Sequence, residues 1–363
     1  GYTMRRYAAL LLALLLCAPM AAESTGTLTI PVVFGALSAG QQNLSLFDTT
    51  FNAVRDYINN REITQAACST RPAASVSGRY FFCTDTQILY GDTGSAWTAL
   101  SSVPIYTDQL TGLTTSNEST ATATSVNVTA GASASEDTTI GSRVLMTIAS
   151  ATTGNTAGTW VVGNYANKLD AGSIAASTAY HVWVIQRPDT LVTDILFSTS
   201  ATAPTMPTNY TKRRRIGAFV TDAGSAIRQY TQYGDEFIYD KPFLAINTTN
   251  PGTTAITTTL AVPTGIAVKA FLNLAADNTT ASFAWYLSSL DSNDEPPVLN
   301  AAPLGSVLAA SAAAQFGGGP FAVWTNTSAQ FRQRSSATGA GNIIQAAVVG
   351  WRDRRGVGCS LPC

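Results

Sequence analysis

Few side chains in this sequence are suited to acid–base or metal chemistry. His181 is the only histidine, and histidine is the side chain that most readily exchanges a proton near neutral pH. No acidic residue or cysteine stands next to it, and it lies close to Trp183 in the apolar stretch Tyr180–Ile185. We therefore interpret His181 as a structural residue of a strand, and the sequence predicts no metal site.

Paired carboxylates offer a second route to chemistry, because glycoside hydrolases hold two acidic residues across a substrate groove. Adjacent acidic residues occur at Glu136-Asp137, Asp235-Glu236 and Asp294-Glu295. Each pair stands in a segment with the composition of a turn or loop, where acidic side chains commonly bond the backbone. No glycine-rich phosphate loop follows a strand and opens a helix. The sequence therefore predicts no catalytic residues and no cofactor.

A run of basic residues from Lys212 to Arg215 is the strongest charge cluster. Basic groups bind phosphate and carboxylate, so Lys212, Arg213 and Arg214 are candidate contacts for a ligand on a cell surface. The run directly precedes a predicted strand. Its alternative role is to prevent other chains from pairing with an exposed edge of the sheet. Across the chain, 21 basic residues offset 22 acidic ones, which argues against nucleic acid as a partner.

Five cysteines stand at positions 17, 68, 83, 359 and 363, without the spacing of a zinc site. Cys68 and Cys83 bracket a short loop and form a candidate disulfide. Cys359 and Cys363 can pair with each other, cross-link neighbouring chains or stay free. The outcome depends on the separation of the Cα atoms and on the redox compartment.

The composition indicates a β-rich protein with a polar but weakly charged surface. Charged residues make up only 12% of the 363 residues, which is about half the usual share. Thr, Ser, Ala and Gly take their place, as on the solvent faces of strands. Hydrophobic residues reach 45%, enough to bury sizeable cores in about two or three domains.

The first 26 residues have the organisation of a secretory signal. Met4-Arg5-Arg6 precedes an apolar run from Tyr7 to Leu16, and small residues follow as far as Ala22. The apolar run is too short for a comfortable membrane span. It is therefore either a cleaved signal peptide or an apolar segment that is buried in a larger assembly.

One short helix is predicted near the N-terminus. Ser45–Asp48 resembles a capping box. Phe47, Phe51, Val54 and Ile58 follow at spacings of four, three and four, which puts them on one face of a helix. That face can pack on its own domain or form a short three-helix seam between copies of the chain.

Strand signals recur at short intervals from Arg143 to the C-terminus. Tyr180–Ile185 is apolar on both faces, as in a central strand. Ile266–Leu274 alternates apolar and polar residues, with Ile266, Val268, Ala270, Leu272 and Leu274 on one face. This pattern is typical of antiparallel β-sandwiches and not of βαβ units. The fold class is therefore mainly β, with antiparallel sandwich modules.

Several stretches resemble bacteriophage tail-fibre proteins. The run from Gly78 to Leu100, with its paired aromatics, Asp-Thr and Leu-Tyr-Gly-Asp-Thr-Gly-Ser-Ala-Trp, is similar to a small β element that is common in such fibres. Leu46–Val54 resembles the helix that these proteins place near the virion anchor. Leu169–Ile185 is similar to a fibre module, and Gly350–Gly356 is similar to the close of several fibre proteins.

This resemblance implies a homotrimeric fibre in the virion tail. Its N-terminal part would bind other tail or virion proteins, and its distal part would bind a host surface glycan or outer-membrane protein. Loops between strands of residues 243–350 are the predicted contact region, since binding residues concentrate on loops. The predicted parts are an apolar segment at 1–26, a virion-anchoring arm and helix at 27–67, a small β-hairpin module at 68–110, a Thr/Ser/Ala-rich linker at 111–142, and β-sandwiches at 143–240 and 241–363. Within the predicted linker, Thr114–Thr139 can alternatively form solvent-exposed strands.

Three alternatives remain open at this point. The first is a tailspike that degrades polysaccharide. The second is a secreted bacterial adhesin or surface-fibre subunit, which the signal-like N-terminus favours because phage virions assemble in the cytosol. The third is a fibre mounted on the capsid or collar instead of the tail.

Overall fold

The computed structural model describes residues 63–84, 88–100, 105–139, 142–278, 281–298, 307–309 and 317–355. Regular structure in these residues is mainly β, as the sequence predicts, with a short 3-10 helix at Cys68–Thr70. Within them, no helix is long and apolar enough to cross a membrane. Four predicted features lie outside the described residues: the apolar segment at 1–26, most of the arm at 27–67, the helix with Phe47, Phe51, Val54 and Ile58, and the pair Cys359 and Cys363.

The chain divides into two compact units, residues 1–101 and 102–363. The described part of the first unit is a four-stranded sheet, whose strands follow one another in chain order. The first pair of strands is parallel and the other two pairs are antiparallel. The predicted hairpin element therefore contains three strands instead of two. The strands are β1 (Ile63–Ala66), β2 (Tyr80–Cys83), β3 (Ile88–Asp92) and β4 (Trp97–Ala99).

Two cross-links hold this small unit together. Cys68 and Cys83 form a disulfide with their Cα atoms 4.8 Å apart. The Asp92 carboxylate accepts hydrogen bonds from the backbone N–H groups of Ser75 and Gly94 and from the Arg79 guanidinium. Burial opposes ionisation of Asp92, but these hydrogen bonds outweigh it and hold its pKa well below the usual range. A short chain with a small core gains stability from such staples.

The described residues of the second unit form four sheets. Their strands are β5 (Leu110–Gly112), β6 (Thr115–Asn117), β7 (Ser125–Val128), β8 (Gly131–Ala134), β9 (Leu145–Ile148), β10 (Thr152–Thr159), β11 (Ala166–Leu169), β12 (Ala179–Gln186), β13 (Thr193–Ser198), β14 (Lys212–Val220), β15 (Tyr230–Tyr233), β16 (Glu236–Thr249), β17 (Ile256–Thr259), β18 (Lys269–Asp277), β19 (Phe283–Ser288), β20 (Val307–Ala309), β21 (Gly317–Trp324), β22 (Gln330–Ser335) and β23 (Ile343–Arg352). The seven-stranded sheet has the order β14-β12-β13-β11-β10-β7-β6 and the five-stranded sheet the order β15-β16-β23-β18-β21; the other two are β17-β22-β19-β20 and β5-β8-β9.

The predicted linker and domain boundary differ from the structure. Residues 111–142 contain strands, and Val126, Val128 and Ala134 on those strands are buried in the core. The composition resembled a linker because small side chains such as Ser125, Ser133 and Ser135 fill other buried positions in this stretch. Strand β16 crosses the predicted boundary between residues 240 and 241 without interruption. Residues 143–240 and 241–363 therefore contribute to one compact unit.

Hydrophobic side chains of all four sheets share one large cluster in the second unit. It includes Val182 and Val184 of β12, Met146 of β9, Trp351 of β23 and Trp285 of β19. All eight residues of β12 are buried, as predicted for a central strand. The predicted alternating face of β18 is buried as well.

The opposite face of the seven-stranded sheet carries a second, smaller cluster. It contains Trp183, Ile185, Leu196 and Tyr210. Successive residues of a strand point to opposite faces of the sheet, so β12 and β13 supply both clusters by alternation. Trp160 and Met206 are partly buried and cover this second cluster. A groove lies beside this second cluster.

Candidate ligand-binding groove

A groove of about 590 Å³ opens beside the second cluster of the second unit. Its lining combines aromatic, aliphatic and hydroxyl side chains with one acidic and one basic residue. We name it the Trp160 groove. It is lined by Thr159, Trp160, Val162, Asp170, Arg187, Val192, Thr205, Met206, Pro207, Thr208 and Tyr210.

The indole of Trp160 is held in one orientation. Its Nε1 donates a hydrogen bond to the Ile195 carbonyl oxygen at 2.8 Å, and its backbone N–H donates to the Leu169 carbonyl oxygen at 2.7 Å. The Tyr210 ring packs edge-on against it, with the ring centroids 5.0 Å apart. Because the ring has partners on its edge and on its backbone, little side-chain entropy remains to be lost when a ligand binds.

A buried ion pair lies beneath Trp160. The Lys168 ammonium is 2.8 Å from the Asp194 carboxylate and donates a second hydrogen bond to the Val161 carbonyl oxygen at 2.9 Å. Asp194 also accepts the backbone N–H of Gly163 at 2.9 Å. Burial lowers the pKa of Lys168, and the neighbouring Asp194 opposes that shift. The pair thus ties the loop of residues 161–163, which forms one rim of the groove, to β11 and β13.

Two charged side chains reach the groove itself. One oxygen of Asp170 accepts the Thr205 N–H at 2.9 Å, and no described residue hydrogen-bonds the other oxygen. Arg187 donates from Nε and Nη2 to Asp189 at 3.0 and 2.6 Å. The hydrogen bond from Arg187 lowers the pKa of Asp189, so both groups stay charged near neutral pH. Asp189 therefore offsets Arg187, and Asp170 leaves the groove with a net negative charge.

A second groove of about 270 Å³ is lined partly by Tyr286, Phe321 and Trp324. The Trp324 side chain is 42% exposed. Glu295 is the one acidic residue in its lining. This groove lies within residues 243–350, which were predicted to contact a receptor, whereas the larger Trp160 groove lies outside that region.

The predicted basic contact residues are engaged in the fold. Arg214 is only 1% exposed and donates to the Arg355 carbonyl oxygen at 3.1 Å, so the prediction of a surface contact is wrong for this residue. Lys212 is half-buried and bonds Asp137 at 3.0 Å. Arg213 is half-buried and donates to the Thr202 carbonyl oxygen at 3.1 Å. Lys212 and Arg213 retain some surface, but neither lines either of the two grooves described above.

The last residue of the basic run anchors the C-terminal part of the described chain. Arg215 makes a bidentate ion pair with Asp353, at 2.5 and 2.8 Å, and both side chains are buried. The Glu136 carboxylate accepts the Arg215 backbone N–H. Arg355 bonds Asp235 at 3.2 Å. Two of the three predicted acidic pairs thus take part in this structural network, and in the third pair Asp294 bonds Arg334.

His181 lies in the same interior and is fully buried. Its Nε2 is 2.8 Å from the Thr264 carbonyl oxygen, so this nitrogen carries the proton. No described residue hydrogen-bonds Nδ1. Burial and the nearby Arg215 charge lower the pKa of His181 to about 4. The described residues hold no group of three His, Cys, Asp or Glu side chains that could bind a metal ion.

Comparison with known proteins identifies no family for the chain. No protein-family description matches the chain, and no curated protein matches it. Among solved structures, it shows a weak likeness to a tryptic core variant of the Bacillus thuringiensis toxin Cry1Da, at 10% identity and a TM-score of 0.17. The match covers 83% of this chain and 61% of that toxin core. A likeness of this size carries no argument about fold or function.

Proposed function

We propose that this chain is a structural virion protein, a bacteriophage tail fibre that anchors to the tail and mediates adhesion to the host cell surface. The proposal combines the tail-fibre resemblance of Gly78–Leu100, Leu46–Val54 and Leu169–Ile185 with a mainly β scaffold. In this proposal the five-stranded and four-stranded sheets pack as an antiparallel sandwich, three copies form a parallel fibre, and the N-terminal helix contributes to the anchor.

The observation that carries the adhesive role is the Trp160 groove. It presents an aromatic ring held by hydrogen bonds, together with hydrogen-bonding groups, at the ends of strands β10, β11 and β12, which is the arrangement of a binding site. Hydrolysis of a glycosidic bond needs two facing carboxylates. Each of the two grooves has one acidic residue in its lining. This favours a binding role over the polysaccharide-degrading tailspike.

A secreted bacterial adhesin is the second candidate. The Cys68–Cys83 disulfide favours it, because disulfides persist in oxidising compartments and are rare in the cytosol, where virions assemble. The signal-like segment at Met4–Ala22 points the same way.

Immunogold electron microscopy separates these candidates. An antibody raised against the full chain is applied to phage particles and to fractionated cells of the source culture. The proposal predicts gold on the tails of particles, and label on the head or neck would indicate the capsid- or collar-mounted fibre instead. Unlabelled particles, together with mature protein that begins near Glu23 in the extracellular fraction, would defeat the virion role and support the adhesin.

The trimer has its own test. Light scattering coupled to size-exclusion chromatography of the full chain should give three times the mass of 38.0 kDa. A monomer at the concentrations used would contradict the trimeric fibre. Release of new reducing ends from host capsule by the purified chain would favour the tailspike, and its absence would be consistent with pure binding.

A further inference from the structure

The Trp160 groove has the chemistry of a site for uncharged sugar. We propose that it binds a neutral oligosaccharide, with the Trp160 ring against the apolar face of one pyranose unit and the Asp170 carboxylate accepting hydrogen bonds from vicinal hydroxyls of that unit. This inference deepens the adhesive function proposed above by naming a site and a ligand class. It concerns the groove alone and does not require the chain to be part of a virion.

The first argument is the aromatic ring. The C–H bonds on one face of a pyranose carry partial positive charge, and an aromatic ring is negative on its face. Trp160 lines the groove, and its hydrogen bond to Ile195 and the packing of Tyr210 hold it in place. The Lys168 ammonium is 5.4 Å from the centroid of this ring, but Lys168 is fully buried and neutralised by Asp194. It therefore supports the ring from inside and does not meet the ligand.

The second argument is the position of a free acceptor next to the ring. Trp160 pairs with Leu169 through its backbone, so Asp170 directly follows the residue that is bonded to Trp160. One Asp170 oxygen is already bonded to Thr205, and the other has no donor among the described residues. Adjacent sugar hydroxyls supply donors to such a carboxylate, and charge-assisted bonds of this kind are the stronger ones. The lining threonines add groups that both donate and accept.

The third argument is the charge balance, which selects against acidic sugars. The Arg187 guanidinium is paired with Asp189, which offsets its charge. Arg187 is the one basic residue in the lining, and Asp170 is the one acidic residue. Uronic acids, sialic acids and phosphorylated sugars bound with their charge beside Asp170 would be repelled by its carboxylate.

The rim of the groove is a separate observation that points to a ligand. Two valine side chains of the lining, Val162 and Val192, are 55% and 42% exposed, although a folded protein gains by covering them. Exposed apolar surface marks interaction sites more often than inert surface when it is contiguous. Val161 and Leu191, which precede these valines in the sequence, are exposed as well.

The test uses the full chain and defined probes. Maltotriose, cellotriose and mannotriose serve as neutral ligands, with trigalacturonic acid and N-acetylneuraminic acid as negatively charged ones. Saturation-transfer NMR detects binding, and calorimetric titration measures it. We expect at least one neutral trisaccharide to bind more tightly than both charged probes. Tighter binding of a charged probe, or no binding of any neutral probe, would overturn the proposal.

Three variants locate the site. Trp160→Ala should weaken binding of the neutral sugar more than tenfold. Asp170→Asn should weaken it about tenfold, because a neutral amide replaces the charged acceptor. Asn keeps an oxygen for the Thr205 N–H, so this variant tests the site even if Trp160→Ala folds poorly. Tyr233→Ala removes a 65% exposed aromatic residue outside both grooves and should change nothing.

Equal binding by Asp170→Asn and the unmodified chain, with melting temperatures unchanged, would contradict the assignment. The outcomes also separate this inference from the proposed function. Sugar binding by a chain that is absent from phage particles would leave the site intact and defeat the virion role. Gold label on phage tails, together with no binding of any neutral probe, would support the virion role and overturn the sugar site.

Discussion

The buried histidine should make the second unit sensitive to mild acid. His181 donates from Nε2 to Thr264, and its Nδ1 has no acceptor among the described residues. A second proton on the ring would be placed at Nδ1, without a hydrogen-bond partner and near the Arg215 charge. The unfolded chain has no such penalty, so its histidine binds a proton at a higher pH than the folded one.

The size of the effect follows from the two pKa values. The pKa of His181 falls from 6.5 to about 4 on folding. The unfolded state therefore gains protons first as the pH falls, and stability is lost between pH 6.5 and about pH 4. Linkage gives a loss of about 2 kcal/mol between about pH 7.5 and about pH 5. The neighbouring Asp353 stays ionised throughout, because its pKa lies below its usual value.

Denaturant unfolding of the full chain at the two pH values measures this loss. The chain has one histidine, and carboxylates with ordinary pKa values titrate mostly below this window, so the contribution is separable. His181→Gln is the matched variant, since its amide N–H can still donate to the Thr264 carbonyl. We expect the free energy of unfolding of the variant to change by less than about 0.5 kcal/mol over the same window.

Two results would refute the reasoning. One is an equal loss of stability in His181→Gln and in the unmodified chain, which would assign the pH dependence to other groups. The other result comes from an NMR titration of ¹³C-histidine-labelled protein, in which the single histidine gives a single imidazole signal. A midpoint near the ordinary value of 6.5 would show that the folded chain protonates His181 freely.

Three further predictions follow from the cross-links and from the groove. Asp353→Asn leaves the buried Arg215 charge unpaired and should lower the free energy of unfolding by about 3–5 kcal/mol in denaturant titrations, whereas a double Arg215→Met, Asp353→Leu variant should recover much of the loss. Replacing Cys68 and Cys83 with Ser should destabilise the first unit by about 2–4 kcal/mol and leave hydrogen exchange of the second unit unchanged. Calorimetric affinity for a neutral trisaccharide should change less than about twofold between low and high salt, since the contacts are with an uncharged ligand; a steep decrease would indicate that a basic cluster binds instead.

Periodic patterns made part of the fold predictable from the sequence. The alternation in β18 and the double-sided apolar character of β12 each reflect which faces of the strand are buried, so the local pattern was sufficient. Residues 111–142 were mistaken for a linker because Ser125, Ser133 and Ala134 are buried without being large. Small side chains allow close packing of neighbouring backbones, and their burial leaves no hydrophobic signal in the sequence.

The roles of the charged residues were not predictable, because they depend on partners far away in the chain. Arg215 and Asp353 are 138 residues apart in sequence, and nothing local distinguishes Arg214 or Arg215 from the half-buried Lys212. The Trp160 groove was not predictable for the same reason. Its lining comes from separate segments that the order of strands in the seven-stranded sheet brings together, so no local pattern in the sequence marked it.

The placement of charged side chains in this fold determines which groups its surface can offer to a ligand. With only 12% charged residues, the chain buries charge in pairs: among the described residues, Arg215 with Asp353, Lys168 with Asp194, and Arg79 with Asp92 are largely buried. Each of these pairs joins segments that are distant in sequence or anchors a loop, which gives geometric specificity more than net stability. In the proposed function, recognition therefore comes from aromatic faces, hydroxyl groups and single unpaired acceptors such as Asp170, and these groups complement uncharged polar ligands.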